Sequence, residues 1–143
     1  MRLHETRHID RPLEEVFNFT ADFANTEMWD PGVESARQIG TDPVGPGTTY
    51  EVVTRFGTTR IPMEYTIEEY TPNSRVVLKG RGETVSAVDT IEFESRDGGT
   101  FVDYTADLTF DNWIRHVDPL LQPLMRRLVG KRALDGLVDT LEK

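Results

Sequence analysis

Apolar residues follow one period up to residue 110 and a different period near the end of the chain. Before residue 110 they recur mainly at every second position, which is the period of half-buried β-strands. In residues 113–141 they recur at steps of three and four, as Leu121, Leu124 and Leu128 show, which is the period of an amphipathic helix. The pattern therefore predicts a long C-terminal helix that covers a β-sheet.

The predicted helix has two apolar stripes that do not align at about 3.6 residues per turn. In one interpretation the helix bends near Gly130, because glycine lowers helix propensity by about 1 kcal/mol relative to alanine. Arg127 and Lys131 then extend to water. In the other interpretation both cations lie on the sheet-facing side, over an internal cavity. The sequence favours the bend and leaves open whether the two cations face the cavity.

The segments before the helix alternate between apolar and polar residues and are separated by turn residues. Two short helices are predicted between the first two strands, the first starting at Pro12 and the second ending at Trp29. Strands are predicted at residues 2–9, 33–39, 48–56, 59–70, 75–81, 84–95 and 100–110. We therefore expect an α+β fold, with a curved, seven-stranded antiparallel sheet wrapped around the C-terminal helix, in a single domain of residues 1–143.

The two-residue turn at residues 57–58 fixes how the third and fourth predicted strands pair. It places Tyr50 opposite Tyr65 and Val52 opposite Met63, on the apolar face of the sheet. Because one helix cannot fill both ends of a concave sheet, we expect an internal cavity for a small apolar ligand. The residues predicted to line it are Tyr50, Val52, Thr54, Met63, Tyr65, Ile67, Asp89, Ile91, Tyr104 and Leu124.

Asp89 is the candidate catalytic residue. It lies in the stretch AVDTIEF at the same strand parity as Ala87 and Ile91, so its carboxylate is predicted to point inward. An apolar environment raises the pKa of a carboxyl group unless a partner stabilises its charge. Asp89 is therefore either a general acid/base or ligand anchor assisted by tyrosine hydroxyls, or a structural carboxylate held by a tyrosine, a buried arginine or water. The sequence leaves both interpretations open.

Composition argues against several classes of function. The chain has 16 Lys+Arg against 25 Asp+Glu, a net charge of −9, which disfavours binding to nucleic acid and to anionic membranes. It has no cysteine, and His4 and His8 are too far apart along a strand to share one tetrahedral metal. We expect no metal and no cofactor, and both histidines at the surface. The charged N-terminus and the lack of a long apolar run predict a cytoplasmic protein without membrane insertion.

Five stretches of the sequence occur in an order that resembles a known superfamily. They are HIDRPLEEVFNFTADFAN, GPGTTYEVVTRFG, PMEYTIEEYTPNSRVVLKG, AVDTIEFE and DPLLQPLMRRLVGKRALDGL. Together they resemble the SRPBCC superfamily, which includes the START and birch-pollen-allergen proteins, and in particular its bacterial polyketide cyclase/dehydrase-like branch. The resemblance implies the helix-grip fold and an internal cavity that holds a hydrophobic molecule.

Three functions remain open from the sequence, since a fold does not fix a function. The first is binding of a small hydrophobic molecule, aromatic or polyketide-like, without chemical change. The second is an aromatase/cyclase- or dehydrase-type enzyme in which Asp89 and tyrosines move protons. The third is a protein-interaction module that uses the acidic outer face. No histidine or cysteine is predicted inside the sheet, which favours binding, by a protein that is a monomer or a homodimer.

Overall fold

A computed structural model of the protein describes residues 1–110 and 126–143, the second range with side chains from residue 129 onwards. Seven strands form one sheet: β1 Arg2–Ile9, β2 Val33–Ile39, β3 Thr49–Phe56, β4 Thr59–Thr71, β5 Arg75–Gly82, β6 Val85–Arg96 and β7 Gly99–Phe110. Their bounds differ from the predicted ones by no more than one residue at either end.

Two short helices connect β1 to β2, and a third follows the sheet. They are α1 Leu13–Ala21, α2 Thr26–Trp29 and α3 Arg132–Leu141. A 3₁₀ turn, Phe23–Asn25, precedes α2, and a π-helical turn, Arg126–Lys131, leads into α3. Pro12 is the N-cap of α1 and fixes an extended backbone just before the helix begins.

All neighbouring strands are antiparallel, in the order β1-β7-β6-β5-β4-β3-β2. The first two strands of the chain therefore lie at opposite edges, and the segment that contains α1 and α2 connects one edge to the other. The register shifts between Val33 and Ser35 and between Ile67 and Glu69, and such irregularities bend a strand. The predicted seven-stranded antiparallel sheet is confirmed.

The predicted strand register is also confirmed. Tyr50 pairs with Tyr65 and Val52 pairs with Met63, with their side chains buried on the inner face of the sheet. The prediction for the last hairpin holds as well, since Asp89 pairs with Ala106 and Ile91 with Tyr104. On the outer face, like charges oppose each other where Glu51 meets Glu64 and Arg55 meets Arg60, and all four are exposed. Water tolerates these like-charge pairs, whereas the interior would not.

Aromatic rings from the first helix pack against the inner face. Phe17 of α1 is fully buried and makes edge-on contacts with the rings of Phe93, 5.0 Å away, and Tyr70, 5.3 Å away. Such edge-to-face pairs add about 0.5–1.5 kcal/mol each beyond the burial of their area. This contact fixes α1 over one end of the sheet.

The described C-terminal helix packs against β1 and α2, and its side chains Leu134, Leu137 and Leu141 are buried. The sequence predicted a bend near Gly130, and the π-helical turn lies at that point. The side chain of Lys131 is exposed, as expected for a cation that extends to water. The side chain of Arg127, the predicted start of the helix at residue 113 and the predicted lining residue Leu124 lie outside the described residues.

Arginines from the N-terminal part of the chain hold α3 in place. Arg11 donates from Nε to the carbonyl of Leu141 (2.8 Å) and from NH2 to that of Lys143 (3.0 Å), so it occupies carbonyl groups at the end of the helix. Arg7 donates from Nε to Oδ1 of Asp135 at 3.0 Å. The N-terminal strand and the C-terminal helix are thereby joined by charged contacts as well as by apolar packing.

Candidate ligand-binding site

The predicted lining residues that the structure describes share the inner face of the sheet. Buried members are Tyr50, Val52, Met63, Tyr65, Ile67, Asp89 and Ile91. Thr54 and Tyr104 are half-buried. Strand parity therefore locates these side chains correctly, while their role in binding stays a prediction.

Asp89 is buried in the middle of this face, with 5% of its surface exposed. Its Oδ2 accepts a hydrogen bond of 2.5 Å from the hydroxyl of Tyr104. Its Oδ1 is also buried and has no hydrogen-bond partner in the described part of the chain. Leu78 and Ala106 flank it on the neighbouring strands. One oxygen of the Asp89 carboxyl group is therefore hydrogen-bonded and the other is not, and its neighbours on the adjacent strands are apolar.

Burial raises the pKa of Asp89 from its ordinary value to about 7. The hydrogen bond from Tyr104 opposes this rise, and the charges of Asp30 and Asp107 add to it. Burial, followed by the charge of Asp89 and the hydrogen bond to it, also raises the pKa of Tyr104 well above its ordinary value. At neutral pH Tyr104 is therefore a donor, and Asp89 exchanges readily between its neutral and ionised forms.

Tyr65 lies next to this pair, and its pKa is raised well above the ordinary value by burial and then by the charges of Asp89 and Asp30. Its hydroxyl is 3.9 Å from Sδ of Met63, which is a weak acceptor. Phe23 covers its ring edge-on with centroids 5.2 Å apart, and the ring of Tyr50 is 6.2 Å from Phe23. Three aromatic rings therefore pack against one another at this end of the sheet.

Asp30 is a second carboxylate, whose charge acts on Asp89, and the sequence pattern did not reveal it. It directly follows α2, and its Oδ1 accepts a 2.8 Å hydrogen bond from the backbone of Gly32. Burial raises the pKa of Asp30 to about 6, opposed by the Gly32 hydrogen bond and by the charge of Arg132. The charge of Asp30 in turn raises the pKa of Asp89.

The signal available for Asp30 was weak. The triplet of residues 30–32 reads as a turn, in which the side chain of Asp30 accepts from a backbone group two residues later. The hydrogen bond from Gly32 explains why an aspartate occupies position 30, even if its carboxylate has no role inside the sheet. Strand parity gives no direction for a residue outside the strands, so only the fold reveals its neighbours.

Three further buried polar atoms lack a hydrogen-bond partner within the described ranges: Thr20 Oγ1, Trp29 Nε1 and the hydroxyl of Tyr50. The hydroxyl of Tyr50 nevertheless lies near Asp22 and the backbone of Phe23: after burial, the charge of Asp22 and a hydrogen bond to it raise the pKa of Tyr50, and a backbone hydrogen bond from Phe23 lowers it. Asp22 also caps the 3₁₀ turn by accepting from the backbone of Ala24. Nearly all buried polar groups in folded proteins have a partner. Thr20 Oγ1 and Trp29 Nε1, like Asp89 Oδ1, therefore need partners that the described residues do not supply.

The inner face of β1 carries an ion pair rather than apolar residues alone. Glu5 pairs with Tyr104 across the strands, and its Oε2 is 3.1 Å from NH1 of Arg7. Arg7 also contacts Asp135 and the backbone carbonyls of Thr6 and Lys131. Its guanidinium is therefore already engaged by protein groups.

The histidines that the structure describes lie on the surface, as predicted. His4 is 2.8 Å from a carboxylate oxygen of Asp103, and His8 is 2.9 Å from the carbonyl of Arg96. In residues 1–110 and 126–143, no group of three or more histidine, aspartate or glutamate side chains could hold a metal ion. No described helix is long and apolar enough to cross a membrane.

Gly80 sets the position of the Tyr65 ring. A Cβ atom at Gly80 would lie 2.6 Å from Cε1 of Tyr65, closer than packing allows. We expect Gly80→Ala to push the ring towards the interior and to lower the free energy of unfolding by about 1–3 kcal/mol. Chemical denaturation measures this effect. Gly45→Ala, where a Cβ would have nothing within 4 Å, is the control and should leave stability unchanged. Equal stability of both variants would contradict the close approach of the ring to Gly80.

Comparisons with known proteins agree with this architecture. The family model described as polyketide cyclase / dehydrase and lipid transport matches residues 1–142. The chain superposes on the Zhui aromatase/cyclase of a Streptomyces species with a TM-score of 0.80 at 12% identity, covering 99% of this chain and 93% of that one. It superposes on a Thermus thermophilus protein with a TM-score of 0.78 at 20% identity, covering 99% and 94%.

The allergen fold is also among the similar structures. Ara h 8.0201 superposes with a TM-score of 0.67 at 15% identity, covering 99% of this chain and 95% of that chain. No functionally curated protein matches the sequence. The helix-grip fold and the SRPBCC resemblance predicted from the sequence are confirmed. The chain belongs to the polyketide cyclase / dehydrase and lipid transport family.

Proposed function

We propose that the protein binds a small hydrophobic molecule, aromatic or polyketide-like, between the inner face of the sheet and the C-terminal helix. The observation that carries this proposal is Oδ1 of Asp89, which is buried and has no partner among the described residues. Leaving such an atom unpaired costs about 1–3 kcal/mol, and more when the group is charged. A ligand that donates a hydrogen bond to this oxygen offsets that cost.

The inner face of β7 supports an apolar ligand. Val102 near the start of β7 is fully buried, whereas Tyr104, Ala106, Leu108 and Phe110 further along the strand are half-buried. Apart from the hydroxyl of Tyr104, these side chains are apolar. Burial of apolar area then contributes about 25 cal/mol per Å² to binding, while Asp89 and Tyr104 orient the molecule.

Native mass spectrometry of protein purified gently from its host tests this function. We expect an adduct that disappears under denaturing conditions. The variant Ala106→Phe adds a ring to the inner face and should lose the adduct, whereas Thr109→Phe, at an exposed position on the same strand, should keep it. Ala106→Leu replaces the phenylalanine variant if thermal melts show that the latter does not fold. A wild-type protein without adduct, or an adduct that survives both inner-face substitutions, would contradict the proposal.

Catalysis of the aromatase/cyclase or dehydrase type is the second candidate, and one observation favours it. The pKa of Asp89 is raised to about 7, close to the value at which a general acid/base works best near neutral pH. Tyr104, which donates to Asp89, then orients the carboxyl group. A dehydrase releases product lighter than its substrate by one water molecule, so recovery of the bound molecule with that loss after incubation supports catalysis. Recovery of an unchanged molecule supports binding alone.

A further inference from the structure

The interior around Asp89 is rich in acceptors and poor in available cations. The charge of Asp30 acts on Asp89, and Glu5 lies on the inner face beside Tyr104. Within the described ranges, Arg7 is a cation on this face, and it already contacts Glu5, Asp135 and two backbone carbonyls. Arg132 acts on Asp30, but it is exposed. No described side chain therefore neutralises the carboxylate of Asp89.

Only one of the two carboxyl oxygens of Asp89 lacks a hydrogen-bond partner among the described residues. Oδ2 is occupied by the Tyr104 hydroxyl at 2.5 Å, while the equally buried Oδ1 has no partner in the part of the chain that the structure describes. A carboxylate oxygen accepts hydrogen bonds and donates none. When Asp89 is ionised, above about pH 7, the group that completes this site is therefore a donor, and a charged donor forms a stronger bond with a carboxylate than a neutral one does.

The aromatic groups point to the same chemistry. Phe23 contacts the ring of Tyr65 edge-on and lies 6.2 Å from that of Tyr50. Tyr65 lies close enough to Asp89 for the carboxylate charge to raise its pKa. The faces of aromatic rings attract cations, and this attraction increases when water is excluded. A chain with a net charge of −9 also concentrates cations rather than anions at its surface.

We propose that the ligand is a hydrophobic amine whose protonated nitrogen donates to Oδ1 of Asp89, with Asp30 as a second negative charge and aromatic rings near the apolar part. This inference rests on the proposed binding function and specifies its ligand class. It excludes fatty acids and other hydrophobic anions as preferred ligands, because their carboxylate would face Asp89 and Asp30. Arg7 does not reverse this preference, since Glu5 and Asp135 already neutralise it.

Three naphthalene compounds that differ in one group test the preference. Naphthylmethylamine, naphthalenemethanol and naphthoate, substituted at the same ring position, are titrated into the full-length protein at about pH 8 and followed by their fluorescence. The amine is then protonated and Asp89 is largely ionised. We expect the amine to bind at least about tenfold more tightly than the alcohol, and the alcohol more tightly than the carboxylate.

Asp89→Asn should remove the preference, so that the affinity for the amine falls to that for the alcohol while the alcohol changes little. Asp30→Asn should weaken the amine by a smaller factor. Glu64→Gln removes the same charge from an exposed position on the outer face and should leave the order unchanged. Equal affinities for the amine and the alcohol, tighter binding of naphthoate, or an unchanged order in Asp89→Asn would overturn the amine proposal and leave the binding function standing. Failure of all three compounds to bind the folded protein would contradict the binding function and the amine preference together.

Discussion

Replacing Gly136 with alanine is expected to destabilise the protein by about 3 kcal/mol or more, although the residue lies in a helix where alanine is normally favoured. A Cβ atom at this position would lie 2.0 Å from the carbonyl oxygen of Trp29 and 3.3 Å from the ring of Pro31. The obstacle is backbone, which cannot rotate away as a side chain can. Helix α3 must therefore move off α2, and Leu137 loses part of its burial.

Chemical denaturation of the wild type and of two glycine variants measures this effect. Gly130→Ala is the matched control, because a Cβ there would lie 3.5 Å from Cγ of Glu5 and 3.8 Å from Cβ of Leu3, which are ordinary contacts. We expect it to change the free energy of unfolding by less than about 1 kcal/mol, with a gain in helix propensity. A Gly136→Ala protein as stable as Gly130→Ala would show that α3 does not approach α2 so closely.

The sheet could be predicted from the sequence because its signals are local. The turn at Gly57 has the positive φ of 63° that glycine supplies without strain, and it sets the register from Tyr50 and Tyr65 outwards. Shifting the register by one residue would bury Glu51 and Glu64 against each other. Alternation, turn chemistry and like-charge pairs therefore agree on one pairing.

Contacts between distant parts of the chain could not be predicted. The sequence gives no reason why Gly136 must be glycine, since the atom that excludes a Cβ belongs to Trp29. The same holds for Arg11, whose guanidinium reaches the carbonyls of Leu141 and Lys143. These contacts depend on how α3 lies against β1 and α2, and residue period along the helix does not determine that arrangement.

The candidate site could be predicted only in part, because strand parity locates side chains on strands and not those in turns. Asp89 stood out because a strand has a definite parity, and the structure places its carboxyl group on the inner face beside Tyr104. Asp30 lies in a turn, where parity has no meaning, and the bond from Gly32 already explains its presence. The Glu5–Arg7 pair has inward parity but was not singled out, because charged residues on an edge strand usually face water.

The Asp89→Asn variant is expected to become more stable than the wild type as pH rises, by up to about 4 kcal/mol. The pKa of Asp89 is about 7 in the folded protein against an ordinary value of 3.8, so the folded state binds this proton more tightly than the unfolded state does. Its contribution to stability is fully present below about pH 4, is lost between about pH 4 and 7, and stays lost above that range. Asparagine keeps the acceptor for Tyr104 and has no charge to bury.

The difference between the variant and the wild type isolates Asp89 from the other groups that titrate in this range. Asp30 has a pKa of about 6 and its charge raises the pKa of Asp89, as does the charge of Asp107 on β7, whereas the raised pKa values of Tyr65 and Tyr104 keep both neutral. Urea denaturation measures the free energy of unfolding from about pH 4 to 8. Asp89→Asn and the wild type should be equally stable at about pH 4 and differ most at about pH 8. The control Glu64→Gln should follow the wild type across the range. A variant less stable than the wild type at pH 8 would mean that a buried cation pairs with Asp89, since removal of one partner from such a pair costs about 3–5 kcal/mol. Asp89 would then be a structural carboxylate, and its Oδ1 would not be available to a ligand.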